Sequence, residues 1–558
     1  MCGMGDRSGR DVLLEVLRTE GVRHLFGNPG STELPLIDAL ATAGDLHYVL
    51  ALQEATAVGM ADGYAQATGR PSFVNLHTSA GLGNAIGNLT NARANGAPIV
   101  VTAGQQHTAH LADDPLLSGD LVGLARATVK WAHEVRSLDE LGTVLRRAFH
   151  DAAAPPRGPV FASIRMDTLD AAGAPATPPP SQIDHRTAGG ALGGLEALAD
   201  QLTTGGPGTV GIVIGDEVAA SGATPDVVAL AELLGAPVHG APLHSTAIFP
   251  PTHALWHGML APAAAAIRQA LAAYDRVLLV GGQAFLVYPF TPGPPLPEHT
   301  DLLHIAPDAS VLARAHPTRV AISGDPKATV AALLPLVAAR VDGAAVAEAL
   351  AEAAPRRAAE IDRLEQLAFE RYPQQPCDPM AAAHALVRAL PAGTAVVDEA
   401  ITTGVYVRGF HHDAVQAGYL FCKGGGLGWG MPAACGVSLA RDGAPVLCAV
   451  GDGSAMYSPQ ALWTAAHERL PVVFAVVNNR QYRILKDNLR GMGGDSATSG
   501  SFVAMDLDQP PVDFVALAMS MGVAGTLVES AADVGDAVRA AVASGQPHLI
   551  EIPISAPA

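Results

Sequence analysis

The sequence predicts an α/β protein built from three doubly wound parallel-sheet domains. Three observations lead there. Short apolar runs recur without polar alternation: PIVVTAG (98–104), VGIVIGD (210–216), RVLLVGG (276–282), PVLCAVGDG (445–453) and PVVFAVVNN (471–479). Runs of this kind fit strands covered by helices on both faces. Each ends in a Gly or polar turn followed by an Ala/Leu-rich helical pattern, which is the rhythm of βαβ units. Finally, two connectors rich in Pro and small residues divide the chain, GAPATPPPSQIDHRTAGG (173–190) and RYPQQPCDP (371–379). The expected domains are therefore 8–172, 190–340 and 378–558 of the 558 residues.

Composition narrows the function. Hydrophobic residues make up 49% and charged residues 16%, so whole-chain disorder is excluded. The net charge of −19 argues against a nucleic-acid partner. No apolar run approaches the roughly 18 residues that cross a bilayer, and the first residues carry no apolar export segment. A cytoplasmic protein without membrane contact is expected. The five cysteines (Cys2, Cys377, Cys422, Cys435 and Cys448) are scattered, odd in number and lack CxxC spacing. They indicate neither a disulfide framework nor a zinc site.

In open α/β sheets ligands bind beyond the carboxyl ends of strands, so chemistry is sought in the residues that follow each run. One run ends in Gly451-Asp452-Gly453-Ser454, and the next ends in Asn478-Asn479. A helix between them is expected to begin near Ser458-Pro459, with Ser as cap and Pro in the first turn. Asp452 and Asn479 then offer a carboxylate and an amide oxygen at one sheet edge. Hard oxygens suit Mg²⁺, which completes its shell with phosphate oxygens and water. The glycines let the backbone approach a phosphate. GDGS followed about 27 residues later by NN, each after a buried strand, is the signature of thiamine diphosphate (ThDP) binding. ThDP and Mg²⁺ are the cofactors expected.

On these motifs the chain resembles the ThDP-dependent 2-oxo acid decarboxylases and carboligases, most closely the benzoylformate decarboxylase branch. The stretches that carry the resemblance are FGNPGSTELP (26–35), LQEATAVGMADGYAQATGRPSFVNLHTSAGLGNAIGNL (52–89), IVVTAGQQ (99–106), FCKGGGLGWGMPAA (421–434) and GDGSAMYSPQALWTAA (451–466). It implies the domain order pyrimidine-binding, middle and diphosphate-binding. Glu54 matches the glutamate beside the aminopyrimidine, where a carboxyl group favours the tautomer that deprotonates thiazolium C2. Leu427 matches the apolar residue that props the cofactor into its bent shape, a positioning effect. Asp452, Asn479 and the Gln481 carbonyl match the metal ligands. Segment 399–403, with Thr402 and Thr403, matches a diphosphate contact, and Gly425, Gly453 and Ser454 are further cofactor-contact candidates. Ser31 matches the serine that binds the substrate carboxylate, and His77 an active-site histidine used in proton transfer.

Two departures stand out. The resemblance places Tyr288 where the branch has a second histidine, and no histidine lies between Gly281 and Gly293. A phenol, with an ordinary pKa near 10, is a weaker acid than an imidazole near 6.5. Slower protonation after loss of CO₂ would favour attack on a second carbonyl. Segment 480–494 (RQYRILKDNLRGMGG) also differs, being basic at Arg483, Lys486 and Arg490. It reads either as the wall of a pocket for a different or more polar 2-oxo acid or as a solvated helix face. Leu116, Leu117 and Phe421 keep an aryl or branched apolar substituent plausible. The implied reaction is non-oxidative decarboxylation of a benzoylformate-like 2-oxo acid to an aldehyde, with carboligation as a further outcome. The alternatives are a carboligase of the acetolactate synthase type and a subunit that binds ThDP without turnover. The resemblance also implies a homodimer or homotetramer with active sites at subunit interfaces.

Overall fold

In the computed structural model, residues 7–413 and 418–555 are described. Cys2 lies outside them; the other four cysteines are buried and unbridged. The strands are β1 (His24–Gly27), β2 (His47–Leu50), β3 (Ser72–Leu76), β4 (Ile99–Gln105), β5 (Ala132–Val135), β6 (Val160–Arg165), β7 (Val210–Ile214), β8 (Val238–Gly240), β9 (Trp256–Met259), β10 (Arg276–Val280), β11 (Asp301–Ala306), β12 (Val320–Ser323), β13 (Ala395–Glu399), β14 (Tyr419–Phe421), β15 (Val446–Gly451), β16 (Val472–Asn478), β17 (Ala524–Leu527) and β18 (His548–Pro553). Three parallel sheets flanked by helices result, as the apolar runs predict. All five runs quoted above become strands: β4, β7, β10, β15 and β16.

The three sheets are grouped in two compact units. The first comprises residues 1–182, 371–408 and 422–558, and joins the pyrimidine-side and diphosphate-side segments. One of its sheets runs β2-β1-β3-β4-β6-β5. Its order reverses between β1 and β3, so the switch point where such sheets bind ligands lies beyond those two strands. In the other, β13, β15, β16, β18 and β17 lie side by side in that order, all parallel. The two halves join through an unusually close helix crossing. A Cβ added at Gly63 would fall 2.2 Å from the Ala433 carbonyl oxygen, and one at Gly436 would fall 1.9 Å from that of Met60. The small residues of helices Glu54–Thr68 and Gly430–Ala440 thus allow backbone-to-backbone packing.

The second unit comprises residues 183–370 and 409–421. Its sheet, β12-β11-β10-β7-β8-β9, reverses order between β7 and β10. A core of Ile212, Ile214, Leu278, Val280 and Leu303 fills one face of it. His411, which a reading of the HHD loop would put at the surface, is 5% exposed and packs beside the Tyr419 ring. No single described helix is long and apolar enough to cross a membrane.

Candidate functional site

The pyrimidine-side candidates all follow strand ends. Ser31 opens a short 3-10 turn, Ser31–Glu33, just after β1, and is exposed. His77 follows β3 and caps the helix Thr78–Asn95. Beside Ser31, the Glu33 carboxylate is 1% exposed. It accepts the Gly30 N–H at 3.0 Å, the Gly104 N–H at 2.9 Å and the Thr32 hydroxyl at 2.7 Å, and lies 2.8 Å from His77 Nδ1. The imidazole lies flat on Gly30, where a Cβ would come within 2.2 Å of Cγ and Nδ1. This explains the glycine of NPGS by space, because its backbone is extended. The loop after β4 joins the group: Leu117 O accepts the Ser79 hydroxyl at 3.3 Å and Leu116 O the Gln106 amide at 2.9 Å. Leu116 is 83% exposed.

Glu54 is the first residue of the helix after β2, whose N-terminus Gln53 caps by accepting the Thr56 N–H at 3.1 Å. Its Oε2 accepts the Asn84 amide at 3.0 Å, and its Oε1 lies where a Cβ at Gly81 would come within 3.0 Å. Gly81 and Asn84 stand one turn apart on a helix, so both face the same carboxylate. The GLGNAIG stretch is therefore the seat of Glu54.

On the diphosphate side, Asp452 follows β15 and Asn479 follows β16. Asp452 is 5% exposed, and its Oδ2 has no hydrogen-bond partner. Burial pushes its pKa up to about 6, against the pull of the Gly453, Arg480 and Gln481 amides. The two asparagines divide their work. Asn478 turns its amide inward to Glu551 at 2.8 Å and accepts the Arg480 N–H at 3.0 Å. Asn479 accepts the Gln481 N–H at 3.0 Å, which holds the turn and leaves a second lone pair. Buried Oδ2, the Asn479 oxygen and the Gln481 carbonyl fit a hard cation. Gly453 leaves room for the Tyr482 ring, 2.6 Å from a Cβ built there. The Ser454 side chain is buried, as is the Thr403 hydroxyl, which has no partner. The intervening helix runs Gln460–Glu468, beginning just after Pro459.

Segment 399–403 does something its resemblance did not reveal. Glu399 is buried, and its carboxyl accepts the N–H groups of Gly428 at 2.7 Å, Trp429 at 3.3 Å and Gly430 at 2.7 Å. It thereby fixes the loop that carries Gly425 and Leu427. Asn91 adds a second clamp: its amide donates to Gly426 O at 2.9 Å and its oxygen accepts the Gly426 N–H at 3.0 Å. At Gly425, with φ of 74°, an added Cβ would meet nothing within 4 Å.

Burial raises the Glu399 pKa to about 7, above the ordinary 4.5. A raised carboxyl pKa means that the folded state binds the proton more tightly. Its contribution to stability is therefore full below about pH 4.5 and is lost as pH rises to about 7. Glu399→Gln is expected to remove that slope, on the order of 3 kcal/mol between the two ends, in denaturation measured from pH 4.5 to 8.

Four of the eleven non-glycine residues with positive φ among the described residues lie at these segments. Among non-glycine residues, Thr78 (φ 47°), Leu117 (φ 68°), Ile401 (φ 46°) and Arg480 (φ 56°) are left-handed. Each stands beside a candidate residue, and strain of this kind persists where surrounding contacts enforce it. Tyr288 lies in the second unit, is 62% exposed, and donates its N–H to Pro262 O at 2.8 Å. In the basic helix Arg483–Met492 the charges are paired locally. Asp487 lies 2.8 Å from Arg483 and 2.9 Å from Arg490, and Lys486 pairs with Asp506. Ile484 and Leu485 remain 38% and 42% exposed.

Comparison with known proteins gives a consistent result. The chain matches the descriptions "Thiamine pyrophosphate enzyme, N-terminal TPP binding domain" over residues 7–124, the central domain over 208–333 and the C-terminal TPP binding domain over 408–552. It is 36% identical over 547 residues to benzoylformate decarboxylase of Pseudomonas aeruginosa, covering 97% of each chain. It is 28% identical over 541 residues to acetolactate synthase isozyme 3 large subunit of Escherichia coli, covering 93% of this chain and 89% of that one. Among solved structures it resembles the ThDP-dependent 4-hydroxybenzoylformate decarboxylase of Rhodococcus jostii, with a TM-score of 0.86, 31% identity and coverage of 98% and 99%.

Proposed function

Since the chain belongs to the thiamine diphosphate-dependent enzymes, we propose that it decarboxylates an aryl or branched apolar 2-oxo acid, benzoylformate-like, to the aldehyde. The observation that carries this reading is the gathering of Ser31, Glu33 and His77 at the β1/β3 switch point. There the turn that carries Ser31, a hydroxyl for a carboxylate, also carries Glu33, which touches His77, a histidine for a proton.

When bound, ThDP supplies a carbon nucleophile and an electron sink for loss of CO₂. Asp452 Oδ2, the Asn479 side-chain oxygen and the Gln481 carbonyl would hold Mg²⁺. Gly453, Ser454, Thr402, Thr403 and Gly425 would surround the diphosphate, and Leu427 would support the ring system. The Glu54 carboxyl would meet the aminopyrimidine, its orientation fixed by Asn84. Ser31 would hold the substrate carboxylate, and His77 would carry the proton. With Arg483, Lys486 and Arg490 paired to carboxylates, Ile484 and Leu485 stay exposed on their helix, as do Arg490 and Met492. That favours an apolar substituent over a second carboxylate.

By the resemblance, Tyr288 would donate the proton during product release. Because a phenol is the weaker acid, Tyr288→His is expected to raise aldehyde release several-fold, measured as the ratio of aldehyde to 2-hydroxy ketone.

The carboligase of the acetolactate synthase type is the rival, and it would permit a dinucleotide in the second unit. The β7/β10 switch point there carries Asp216 and Glu217, and Glu217 packs on Gly281, 2.9 Å between their Cβ positions. Two carboxylates oppose a phosphate at that place. The test is a product assay with ThDP, Mg²⁺ and benzoylformate, with and without added aldehyde. Benzaldehyde from a colourless protein supports the proposal; no consumption by a ThDP-bound protein, or a bound flavin, contradicts it.

A further inference from the structure

We infer that Glu33 is a positioning residue that fixes His77 in its Nδ1–H tautomer and so presents Nε2 as the proton-carrying atom; the role in turnover rests on the decarboxylase reading above. Glu33 Oε1 accepts the Gly104 N–H and the Thr32 hydroxyl, and Oε2 accepts the Gly30 N–H. Every one of these partners is a donor, so the carboxylate meets His77 as an acceptor. His77 Nδ1 stands 2.8 Å from Oε2. A neutral imidazole has one N–H, and this contact places it on Nδ1. The lone pair is then on Nε2, which becomes N–H only when the ring takes up a proton.

The surroundings prevent the ring from reversing. Thr32 Oγ1 is 3.2 Å from the same Nδ1, but its proton is directed to Glu33. One ring face rests on Gly30 without space for even a methyl group. The backbone just beyond, at Thr78, is left-handed and buried. Tyr48, whose buried hydroxyl adjoins Gly27, is a further titratable group near Glu33. The His77 side chain keeps 19% exposure while Nδ1 is turned to the carboxylate. The proton taken up at Nε2 is the one given back there, so the ring returns to its starting tautomer after each cycle.

The experiment uses full-length protein labelled with [¹⁵N]histidine, with His77→Gln to assign the His77 signals. In the wild type, Nδ1 is expected to be protonated and Nε2 not, at a pH where the ring is neutral. In Glu33→Gln an amide N–H faces Nδ1, so the tautomer should invert. kcat should fall about 100-fold or more while ThDP affinity stays within a few-fold. Glu33→Asp, which restores an acceptor, should recover part of the rate and the original tautomer. Protonated Nε2 in the wild type would overturn the inference, and the wild type alone decides this if Glu33→Gln fails to fold. So would an inverted tautomer with kcat unchanged. The predicted tautomer in a protein that consumes no 2-oxo acid would leave Glu33 in place and overturn the decarboxylase reading instead.

Discussion

Glu54→Gln is expected to lower kcat by about 10²–10⁴-fold, while the variant still binds ThDP with little loss. The two side chains have the same shape, and Asn84 can still hydrogen-bond to the glutamine oxygen, as it does to Glu54 Oε2. What disappears is a carboxyl group able to share a proton with the aminopyrimidine ring. The loss therefore falls on kcat and not on cofactor affinity. Isothermal titration with ThDP and Mg²⁺, paired with steady-state kinetics, checks both halves. Asn84→Ala is the informative companion, since it leaves the carboxyl but frees its orientation. Its effect should be smaller than that of Glu54→Gln, as for a supporting group.

Asp452→Ala has the second large effect, and it falls on binding. Magnesium is held by few protein ligands, and Asp452 is the one carboxylate in the proposed set. Its loss should weaken Mg²⁺-dependent ThDP binding by on the order of 100-fold or more. Wild-type protein should gain about 2.7 kcal/mol from cofactor at one hundred times its Kd, and the variant almost none. Thermal unfolding with and without ThDP and Mg²⁺ reads this directly. Without cofactor the ordering should reverse or vanish. Asp452 Oδ2 is buried with no partner, and an orphaned polar atom costs stability. The alanine variant should therefore melt no lower than the wild type when both lack cofactor.

Much of this was legible in the chain. Unbroken apolar runs such as 445–453 and 471–479 are strands because parallel sheets are buried on both faces, and their turns are the places where Asp452 and Asn479 stand. How the domains group was less legible. Nothing in the pattern of MADG or PAACG says that Gly63 and Gly436 let two helices meet at backbone distance and merge the outer segments into one unit. The Glu33 and Glu399 carboxyls were inside quoted motifs, yet their partners are Gly104 and Gly428–Gly430, far away in sequence. Spacing along a chain cannot show such pairings. Asn84 was closer to reach, because its turn-long distance from Gly81 is a helix signal. The basic character of Arg483, Lys486 and Arg490 left a polar pocket and a solvated helix face equally open, and the pairing with Asp487 and Asp506 favours the second. Charge runs read alone hide their counterions.

The central claim is that the site takes an apolar aryl 2-oxo acid and releases an aldehyde. Its most direct test is the ratio of kcat/KM for benzoylformate to that for pyruvate, with ThDP and Mg²⁺ saturating and products identified. The account predicts a preference for benzoylformate of at least about tenfold, as an apolar pocket discriminates by 1–3 kcal/mol, with benzaldehyde as the main product. A preference for pyruvate, with acetolactate as the product, would contradict it.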